Sequence, residues 1–377
     1  MTRAKPFAIC ATAGDPGGAA AVAPVLELLA HNPVVNLIAC PYNEAMTLWQ
    51  NRGIPCQAAG ILSVQDFRAL MRSEQVDLLL TGTSVNSRNC EHQALQAARE
   101  MGIPSLAVLD YWANYALRFS SSANLLDFLP DRIAVMDPQA KSEAIADGIP
   151  AGRLVVTGQP AFDSLADCRR MFDDGQRARL REAHGIAGDD LMVFFPSQPT
   201  SVFCGVDASN PLYLGYTEQE VAGSLITALE AIAKARQCSI TLVTRPHPRE
   251  DGAWLERLHG KHIRIQPARQ GTARELCMAA DLVVGMDTVL LVEACYLQSF
   301  VLSIQPNLIG KDTVPTNRLG ASTGIYHPQA VQPALERLLF DPTTRRTVSQ
   351  HLATMAGPGT RAAAAVERLI LPNILST

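Results

Sequence analysis

Short apolar runs alternate with amphipathic segments along the first half of the chain. The runs that predict strands cover 7–13, 35–40, 76–81, 105–110, 132–136 and 154–157. The segments whose apolar residues recur with helical spacing cover 18–30, 43–52, 63–72, 90–101 and 138–147. Strands that alternate with helices at this spacing are typical of βαβ units, so the first half predicts a parallel sheet.

The same alternation restarts after a polar, charge-rich helix predicted over 162–184. The strands predicted in the second half cover 191–195, 239–244, 263–266, 282–285 and 300–304. The helices predicted there cover 218–236, 272–280, 289–297, 330–339, 343–356 and 359–369. We therefore predict an α/β protein with two doubly wound, Rossmann-like parallel-sheet domains that face each other across a cleft.

Chain length and the position of the polar helix set the predicted domain boundaries. The 377 residues suffice for two domains of ordinary size. We place the N-terminal domain at 1–163 and the C-terminal domain at 164–355. A last helical segment, 356–377, is predicted to pack back on the N-terminal domain.

Composition excludes several classes of protein. Hydrophobic residues make up 47% and charged residues 18%, which is an ordinary globular balance and not that of a disordered chain. The net charge of -4 excludes a strongly basic nucleic-acid binder. No apolar run reaches the roughly eighteen residues of a membrane span. The N-terminal apolar stretch is broken at 14–18, so it predicts a first strand and not a signal peptide.

The nine cysteines are odd in number, widely spread and without a C-x-x-C pair. A disulfide framework or a zinc knuckle needs clustered spacing, so we predict reduced thiols, no metal and a cytoplasmic location. No cofactor is predicted either.

The loop after the first predicted strand is the first candidate site, because ligands of such sheets bind outside the carboxyl ends of the strands. It carries Asp15, Gly17 and Gly18 just before a predicted helix. Glycines let a backbone approach a ligand closely, and a helix N-terminus offers unpaired N–H groups. The alternative is that Asp15 only caps the helix and the glycines only form the turn.

Two further loops of the first half carry candidate residues. They are Thr83, Ser84, Glu91, Asp110, Tyr111, Trp112 and Arg118. Small hydroxyl residues after a strand line a cleft or simply form a turn. Aromatic side chains beside a carboxylate suit a sugar or acceptor pocket, and the alternative is that they pack an interface.

The second half offers a cationic turn and a helix start. The candidates are Ser197, Arg245, His247, Arg249, Asp287, Thr288 and Glu293. Prolines on both sides of His247 fix the backbone, and two arginines supply cationic groups for a phosphate. A helix start at Thr288 can bind a phosphate, and Glu293 can accept ribose hydroxyl groups; alternatively, Asp287 or Thr288 caps the helix and Glu293 is solvated.

Taken together, these loops resemble the two-domain GT-B glycosyltransferase superfamily and its epimerase relatives. The first half is similar to lipid-A-disaccharide synthase in the loop at 13–18, in Leu-Asp-Tyr-Trp-Ala at 109–113 with Arg118, and in Val-Thr-Gly-Gln-Pro-Ala-Phe-Asp at 156–163. In the second half, residues 246–248 and 281–294 look like the nucleotide-binding domain of this superfamily. The same segments occur in UDP-N-acetylglucosamine 2-epimerases and in teichoic-acid-type polyol-phosphate transferases. The resemblance spans roughly residues 7 to 310.

The sequence also departs from these relatives. The acidic residue of the lipid-A enzyme would fall at 83–88, where none occurs. The epimerase run S-G-G-x-x-E-E-A is replaced by D-T-V-L-L-V-E-A at 287–294. Asp110 or Trp112 stands where the teichoic-type transferases carry a second histidine.

The resemblance implies a metal-independent, inverting glycosyltransferase that uses a nucleotide-diphosphate sugar, with a UDP-sugar expected first. The acceptor would be a surface polysaccharide, lipid or glycan bound by the N-terminal domain, and nucleic acid and stable membrane insertion are excluded. The base would be Asp15, Glu91 or Asp110, of which Asp15 is favoured.

The C-terminal domain would hold the donor, with Glu293 on the ribose and His247 also a catalytic candidate. Lys311 or Arg318 would add charge beside the leaving diphosphate. The alternatives are a hydrolysing UDP-N-acetylglucosamine 2-epimerase and a non-catalytic nucleotide-sugar-binding protein of the same fold. A homodimer is left open.

Overall fold

The computed structural model describes residues 5–57, 61–85, 89–121, 125–355 and 361–371. The chain divides into two compact units. Unit 1 comprises Met1–Asp163 and Gly359–Thr377, and unit 2 comprises Ser164–Pro358. Each unit is built on a six-stranded sheet.

The sheet of unit 1 is parallel throughout. Its strands are β1 (Phe7–Thr12), β2 (Val35–Ala39), β3 (Leu78–Thr81), β4 (Ser105–Val108), β5 (Arg132–Val135) and β6 (Leu154–Val156). They lie in the order β2-β1-β3-β4-β5-β6, so the chain reverses direction across the sheet between β1 and β3. A crevice opens outside the carboxyl ends of the strands at such a reversal, which is the usual ligand position in this architecture.

Helices cover both faces of this sheet. They are α1 (Pro16–Ala30), α2 (Glu44–Asn51), α3 (Val64–Ser73), α4 (Cys90–Met101) and α5 (Pro138–Ala146). The period-two alternation of β1 divides the core into two layers. Ile9 and Ala11 pack in the layer that contains α1 and Trp49 of α2, whereas Ala8 and Cys10 pack against α3 and α4.

The polar helix predicted over 162–184 is wrong as a single element. The structure has two helices there, α6 (Asp163–Met171) and α7 (Asp174–Ala183). Asp173 starts the second helix, because its side chain accepts from the backbone N–H of Gln176 while the Gln176 side chain accepts from the backbone N–H of Asp173. This reciprocal capping box specifies a new helix start.

Unit 2 repeats the architecture with a different strand order. Its parallel strands are β7 (Leu191–Pro196), β8 (Ile240–Arg245), β9 (Arg264–Pro267), β10 (Leu282–Gly285), β11 (Val301–Ile304) and β12 (Thr323–Ile325). They lie in the order β12-β11-β10-β7-β8-β9. The reversal therefore falls between β7 and β10, as in dinucleotide-binding sheets.

The helices of unit 2 include three short elements that the sequence did not predict. The helices are α8 (Thr200–Cys204), α9 (Glu218–Arg236), α10 (Ala253–Glu256), α11 (Ala273–Ala279), α12 (Val289–Tyr296), α13 (Pro315–Arg318), α14 (Val331–Phe340) and α15 (Pro342–Met355). The short elements α8, α10 and α13 have five residues or fewer, too few for a helical period to show in the sequence.

The last described helix, α16 (Ala362–Ile370), belongs to unit 1. Its buried side chains, which include Val366 and Ile370, join the core layer of α1. Its first two backbone N–H groups donate to the carboxylate of Asp163 at 2.8 and 2.9 Å. The hydrogen bonds to Asp163 at its first turn and the core contacts of its buried side chains together hold α16 on unit 1.

The prediction of two doubly wound parallel sheets is confirmed. None of the helices in the described ranges is long and apolar enough to cross a membrane. Among the same residues, no group of three or more His, Cys, Asp or Glu side chains is arranged to hold a metal ion.

Candidate functional site

Each unit gathers polar side chains at the carboxyl ends of its strands. In unit 1 the N-terminal cluster consists of Asp15, Thr83, Ser84, Asp110 and Arg118. In unit 2 the C-terminal cluster consists of Ser197, Arg245, His247, Glu250, Asp287 and Thr288. Both clusters include the loops at which the strand order reverses.

A buried ion pair organises the N-terminal cluster. The guanidinium of Arg118 donates to Asp110 Oδ1 at 2.5 Å and to Thr83 Oγ1 at 3.1 Å. The Thr83 hydroxyl in turn donates to the same carboxylate oxygen at 2.7 Å. Arg118 is only 6% exposed, so the loss of Arg118 or of Asp110 would leave the charge of the other without a partner in the interior. The predicted acceptor-binding residues Thr83 and Arg118 thus hold the Asp110 loop in place.

The motif at 156–163 supports the same loop. The side-chain amide of Gln159 donates to the backbone carbonyl of Asp110 at 2.8 Å and to that of Leu109 at 3.2 Å. Gln159 is buried, so these bonds are shielded from water and fix the end of β4.

Gly17 and Gly18 are required by close packing of α1 against the neighbouring loops. A Cβ atom on Gly17 would lie 2.3 Å from Asp110 Oδ2, and one on Gly18 would lie 2.6 Å from the backbone oxygen of Thr83. The glycines therefore bring the N-terminus of α1 against the Asp110 carboxylate. The partial positive charge at a helix N-terminus stabilises a carboxylate in that position.

Asp15 stands at the N-cap position of α1, but its side chain makes no capping hydrogen bond. It accepts instead from the Ser84 hydroxyl at 2.5 Å. The side chain is half-buried. The alternative in which Asp15 serves only as a helix cap therefore does not describe this loop.

Glu91 lies behind the same loop. It accepts hydrogen bonds from the Tyr42 hydroxyl and, at 3.1 Å, from the backbone N–H of Gly14. The pKa of Glu91 is raised to about 7, because burial and, to a smaller extent, the nearby charge of Asp15 outweigh the hydrogen bonds from Tyr42 and Gly14, which lower it. The carboxyl of Glu91 is buried at 2% exposure, and its bond to Gly14 supports the loop that carries Asp15.

The aromatic residues of the loop after β4 differ in exposure. Trp112 is 3% exposed; its indole N–H donates to Asp137 at 2.6 Å and its ring stacks on Phe162. This arrangement fits the packing alternative and leaves the indole no open face for an acceptor. Tyr111 lies edge-on to Trp112 and is half-buried, so it is the aromatic candidate of this loop that solvent still reaches.

Glu250 organises the C-terminal cluster. One carboxylate oxygen accepts from the Ser197 hydroxyl at 3.0 Å and from the indole N–H of Trp254 at 2.6 Å. The other oxygen accepts from the backbone N–H of His247 at 3.0 Å. Glu250 thereby ties the loop after β7 to the turn after β8.

The cationic turn carries several hydrogen-bond donors. The backbone N–H of Arg249 donates to His247 Nδ1 at 3.1 Å, which assigns the proton of the neutral ring to Nε2. Arg245 is half-buried and donates to the backbone oxygen of Gly271 at 2.9 Å, and the Arg249 side chain is exposed. Two guanidinium groups and an imidazole N–H surround the turn, a donor set that suits an anion.

The loop after β10 combines a helix start with a buried carboxylate. Thr288 caps α12 by accepting from the backbone N–H of Leu290 at 3.4 Å. Burial raises the pKa of Asp287, and the Gln198 amide beside it partly opposes that shift. Asp287 thus lies where the strand order of the sheet reverses, and burial disfavours its charged form. An ordinary helix-capping aspartate is exposed and charged.

Glu293 has a protein partner. Both of its carboxylate oxygens accept from the guanidinium of Arg274, each at 2.9 Å. A ribose bound by Glu293 would have to share or displace this bidentate ion pair, so the ribose role stays a prediction. Of the two additional cationic candidates, Lys311 is exposed and Arg318 donates to the backbone oxygen of Asp312 at 2.8 Å.

Three residues in or beside these clusters were not predicted from the sequence: Glu250 of the C-terminal cluster, Tyr42, which donates to Glu91, and Gln198, which lies beside Asp287. Glu250 follows His247 by three positions, the spacing at which a carboxylate reaches back to a backbone N–H, and this signal could have identified it. Tyr42 follows β2 and has no such local signal. Residues 86–88, within the stretch where the lipid-A enzyme has an acid, lie outside the described residues.

Comparison with known proteins identifies the fold. No protein-family model matches the chain, and no curated protein matches it. The structure of UDP-GlcNAc 2-epimerase from Neisseria meningitidis bound to UDP-GlcNAc is similar with a TM-score of 0.66 at 14% identity, over 97% of this chain and 100% of that one. The epimerase from Methanocaldococcus jannaschii in complex with UDP-GlcNAc and UDP gives 0.61 at 13%, over 97% and 100%.

A glycosyltransferase from Rickettsia africae gives a TM-score of 0.63 at 12% identity, over 98% of this chain and 99% of that one. At such identities the likeness defines the fold alone. The chain has the two-domain Rossmann-like GT-B fold of these enzymes, as its sequence predicts. The resemblance to lipid-A-disaccharide synthase stays a prediction.

Proposed function

We propose that the chain binds a UDP-sugar and transfers the sugar, with inversion and without a metal ion, to a polysaccharide, glycan or lipid acceptor. The observation that carries the proposal is the turn around His247, which Glu250 fixes at 3.0 Å and which carries two arginines at a strand end of unit 2. A rigid cationic turn beside a helix start is a strong anion site. The fold shared with enzymes solved with UDP-GlcNAc supports a nucleotide sugar as that anion.

In this proposal unit 2 holds the diphosphate. The Nε2–H group of His247, the guanidinium groups of Arg245 and Arg249 and the first N–H groups of α12 would donate to phosphate oxygens. Lys311 and Arg318 would add positive charge when the diphosphate leaves. The proposal includes a preference for UDP over CDP or GDP, which binding measurements test. It also includes a homodimer, which sedimentation measurements test.

Unit 1 would supply the acceptor-binding surface and the base. The acceptor oxygen would attack the anomeric carbon, the bond from that carbon to the diphosphate oxygen would break, and the acceptor proton would pass to a carboxylate. Asp15 fits the base best, because Asp110 is paired with Arg118 and Glu91 is buried. Asp15→Asn should lower kcat about 10²–10⁴-fold with little change in nucleotide affinity. Full turnover by that variant would remove Asp15 from the mechanism.

The second candidate is a hydrolysing UDP-GlcNAc 2-epimerase. It is favoured by the structures of that activity among the similar proteins. The two reactions separate in one assay: incubation of UDP-GlcNAc with the protein alone yields UDP and free sugar only from the epimerase. Release of UDP only when an acceptor is added supports the transferase, and turnover in EDTA tests its independence of metal.

Binding itself is tested by thermal shift with UDP, CDP, GDP and their sugars. A ligand present at 100 times its Kd stabilises the folded state by about 2.7 kcal/mol. The shift should disappear in Arg245→Ala and His247→Ala and persist in Glu256→Gln, an exposed residue of α10. Binding with no turnover on any acceptor or donor would support the non-catalytic alternative, and no shift with any nucleotide would overturn the proposal.

A further inference from the structure

One segment of unit 2 concentrates positive charge in a chain that is acidic as a whole. Residues 245–269 include six arginines and lysines against three acidic residues, whereas the net charge of the whole chain is -4. The cations are Arg245, Arg249, Arg257, Lys261, Arg264 and Arg269. Positive charge collected in one place on an acidic protein attracts an anionic partner to that place.

This segment lies along one edge of the sheet of unit 2. It begins at the carboxyl end of β8, continues through α10 and the edge strand β9, and ends in the loop after β9. The backbone N–H of Ala268 donates to the backbone oxygen of Thr244 at 2.7 Å, which holds that loop against the end of β8. The six cations therefore lie on and around both ends of β9. We call this surface the cationic edge.

The charges of the cationic edge are held in place without being neutralised. Among the described residues, none of its six cations forms an ion pair with a carboxylate. Arg245 donates to the backbone oxygen of Gly271 at 2.9 Å, and Arg264 donates to that of Gly185 at 2.6 Å and to the Thr241 hydroxyl at 2.9 Å. These oxygens are neutral, so they orient the two guanidinium groups and leave their charge available. The other four cationic residues are exposed.

The acidic residues nearby have backbone or buried partners. Glu250 holds the His247 turn, and Asp251 accepts from the backbone N–H of Ala253 at 2.7 Å. Glu230 of α9 accepts from the backbone N–H groups of residues 261–263, which fixes the turn before β9. With the exposed Glu256 this makes four acids against six cations, so the edge keeps a positive surplus.

The extent of the cationic edge indicates a polymer. The four residues of β9 span about 13 Å at roughly 3.3 Å per residue, and cations lie beyond both ends of the strand. A diphosphate bound at the His247 turn meets the carboxyl end alone. A chain that carries an anionic group in each repeat meets both ends at once, which is the general advantage of several linked contacts.

The composition of the edge selects the class of polymer. Trp254 is the one aromatic residue between 245 and 269, and it is half-buried with its indole N–H on Glu250. Single-stranded nucleic acids need exposed aromatic rings for their bases in addition to cations. In this range, all of which the structure describes, no large hydrophobic side chain is exposed, whereas a membrane-surface site needs apolar groups beside its cations. A glycan with carboxylate or phosphate groups needs neither.

We propose that the cationic edge binds an anionic glycan chain, whose repeats carry carboxylate or phosphate groups. This inference rests on the proposed function, in which that glycan is the acceptor and the edge holds repeats that do not react. Guanidinium groups pair with carboxylates and phosphates through two hydrogen bonds at once, so four arginines beside one lysine suit repeated oxyanions.

Fluorescence anisotropy without nucleotide measures this binding directly. The labelled probes are polygalacturonate for the carboxylate class and poly(glycerol phosphate) for the phosphate class. Fully methyl-esterified polygalacturonate has the same sugars without the charge. We expect the wild type to bind at least one anionic probe, to release it as salt is added, and not to bind the ester. Binding of the ester as tightly as the acid, or binding of neither anionic probe, would overturn the inference.

The test variant combines Arg257→Glu, Lys261→Glu and Arg269→Glu. These residues are exposed and lie outside the proposed diphosphate contacts. We expect at least about tenfold weaker binding of the anionic probe, because three exposed ion pairs are replaced by repulsion. The affinity for UDP should stay as in the wild type. An unchanged affinity for the probe would show that the edge does not bind it.

The matched control combines Arg72→Glu, Arg337→Glu and Arg346→Glu, on exposed positions of α3, α14 and α15. It changes the net charge by the same amount and should keep the affinity of the wild type for the probe. Equal losses in the two triple variants would reduce the effect to net charge and overturn the inference.

Two further outcomes separate the partner from the reaction. Tighter binding of single-stranded DNA, or of phosphatidylglycerol vesicles, than of either anionic glycan would overturn the assignment to a glycan. Glycan binding by a wild type that binds no nucleotide would overturn the proposed function, and the acceptor role with it, while the cationic edge keeps its anionic partner.

Discussion

The carboxylate of Glu250 accepts a hydrogen bond from the backbone N–H of His247 at 3.0 Å. The same side chain accepts from Ser197 and Trp254, so one residue sets the conformation of the cationic turn. An anion site with fixed donors loses less conformational entropy on binding than one that must be ordered by its ligand.

Replacement of Glu250 by glutamine should therefore weaken nucleotide binding. The glutamine amide places an NH₂ group where a carboxylate oxygen accepted a hydrogen bond, so that bond is lost. We expect about tenfold weaker binding of UDP, measured by calorimetry. Glu256→Gln makes the same chemical change at an exposed position and should bind UDP as the wild type does. Equal affinities in the Glu250 and Glu256 variants would show that the turn does not need its carboxylate.

Glu91 should make the stability of unit 1 depend on pH. Its pKa is raised from 4.5 to about 7, so between these values the folded state holds a proton that the unfolded state has released. The contribution of Glu91 to stability is then present at pH 4.5, falls as pH rises to about 7, and stays lost above it, with a slope of at most about 1.4 kcal/mol per pH unit.

Urea unfolding of the wild type and Glu91→Gln from pH 4.5 to 8 measures this contribution. The difference in unfolding free energy should decline across that range, whereas Glu44→Gln, an exposed residue of α2, should follow the wild type. Parallel curves for the wild type and Glu91→Gln would contradict the assigned pKa.

Two helical glycines should respond to alanine in opposite ways. Gly18 of α1 has the Thr83 backbone oxygen 2.6 Å from the position of a Cβ atom, whereas Gly223 of α9 has nothing within 4 Å. Gly18→Ala should destabilise the protein by about 1–3 kcal/mol through overpacking. Gly223→Ala should stabilise it by about 0.5–1 kcal/mol through helix propensity. Thermal unfolding of both variants decides, and stabilisation by Gly18→Ala would refute the close approach of α1.

Asp163 should stabilise α16 from a distance of about two hundred positions in sequence. Asp163→Ala removes the acceptor of the N–H groups of Ala362 and Ala363, which should cost about 0.5–2 kcal/mol, the usual value of a helix cap. Proteolysis near the C-terminus should accelerate. Asp167→Ala, which breaks an exposed ion pair with Arg170, should cost less than about 1 kcal/mol. Equal proteolysis rates would argue against the cap.

The sequence predicted most of the fold because periodicity and capping agree in the longer elements. The bounds of α4, α9 and β10 match their predictions residue for residue. The edge strand β12 escaped prediction, since Thr-Gly-Ile is too short for a period. Asp173 and Gln176 lie inside a charge-rich stretch, where their three-residue spacing was the one local signal of a new helix start and was not used.

For the candidate site, sequence located the loops but not the partners. Asp15, Asp110 and His247 follow strands, and the carboxyl ends of parallel strands share one edge. The Tyr42–Glu91 bond and the Arg274–Glu293 ion pair join residues from separate elements. Such contacts depend on how strands and helices are arranged in space, which no local pattern encodes.

The position of α16 has a consequence for biosynthesis. Unit 1 is interrupted by the whole of unit 2, and its core includes Val366 and Ile370 from beyond that interruption. At a translation rate of about 5–20 residues per second, the ribosome needs on the order of ten to forty seconds to make unit 2 before the missing helix emerges. During that interval the apolar surface of α1 that α16 covers lacks its last neighbour, so the core of unit 1 is completed only after unit 2 has been synthesised.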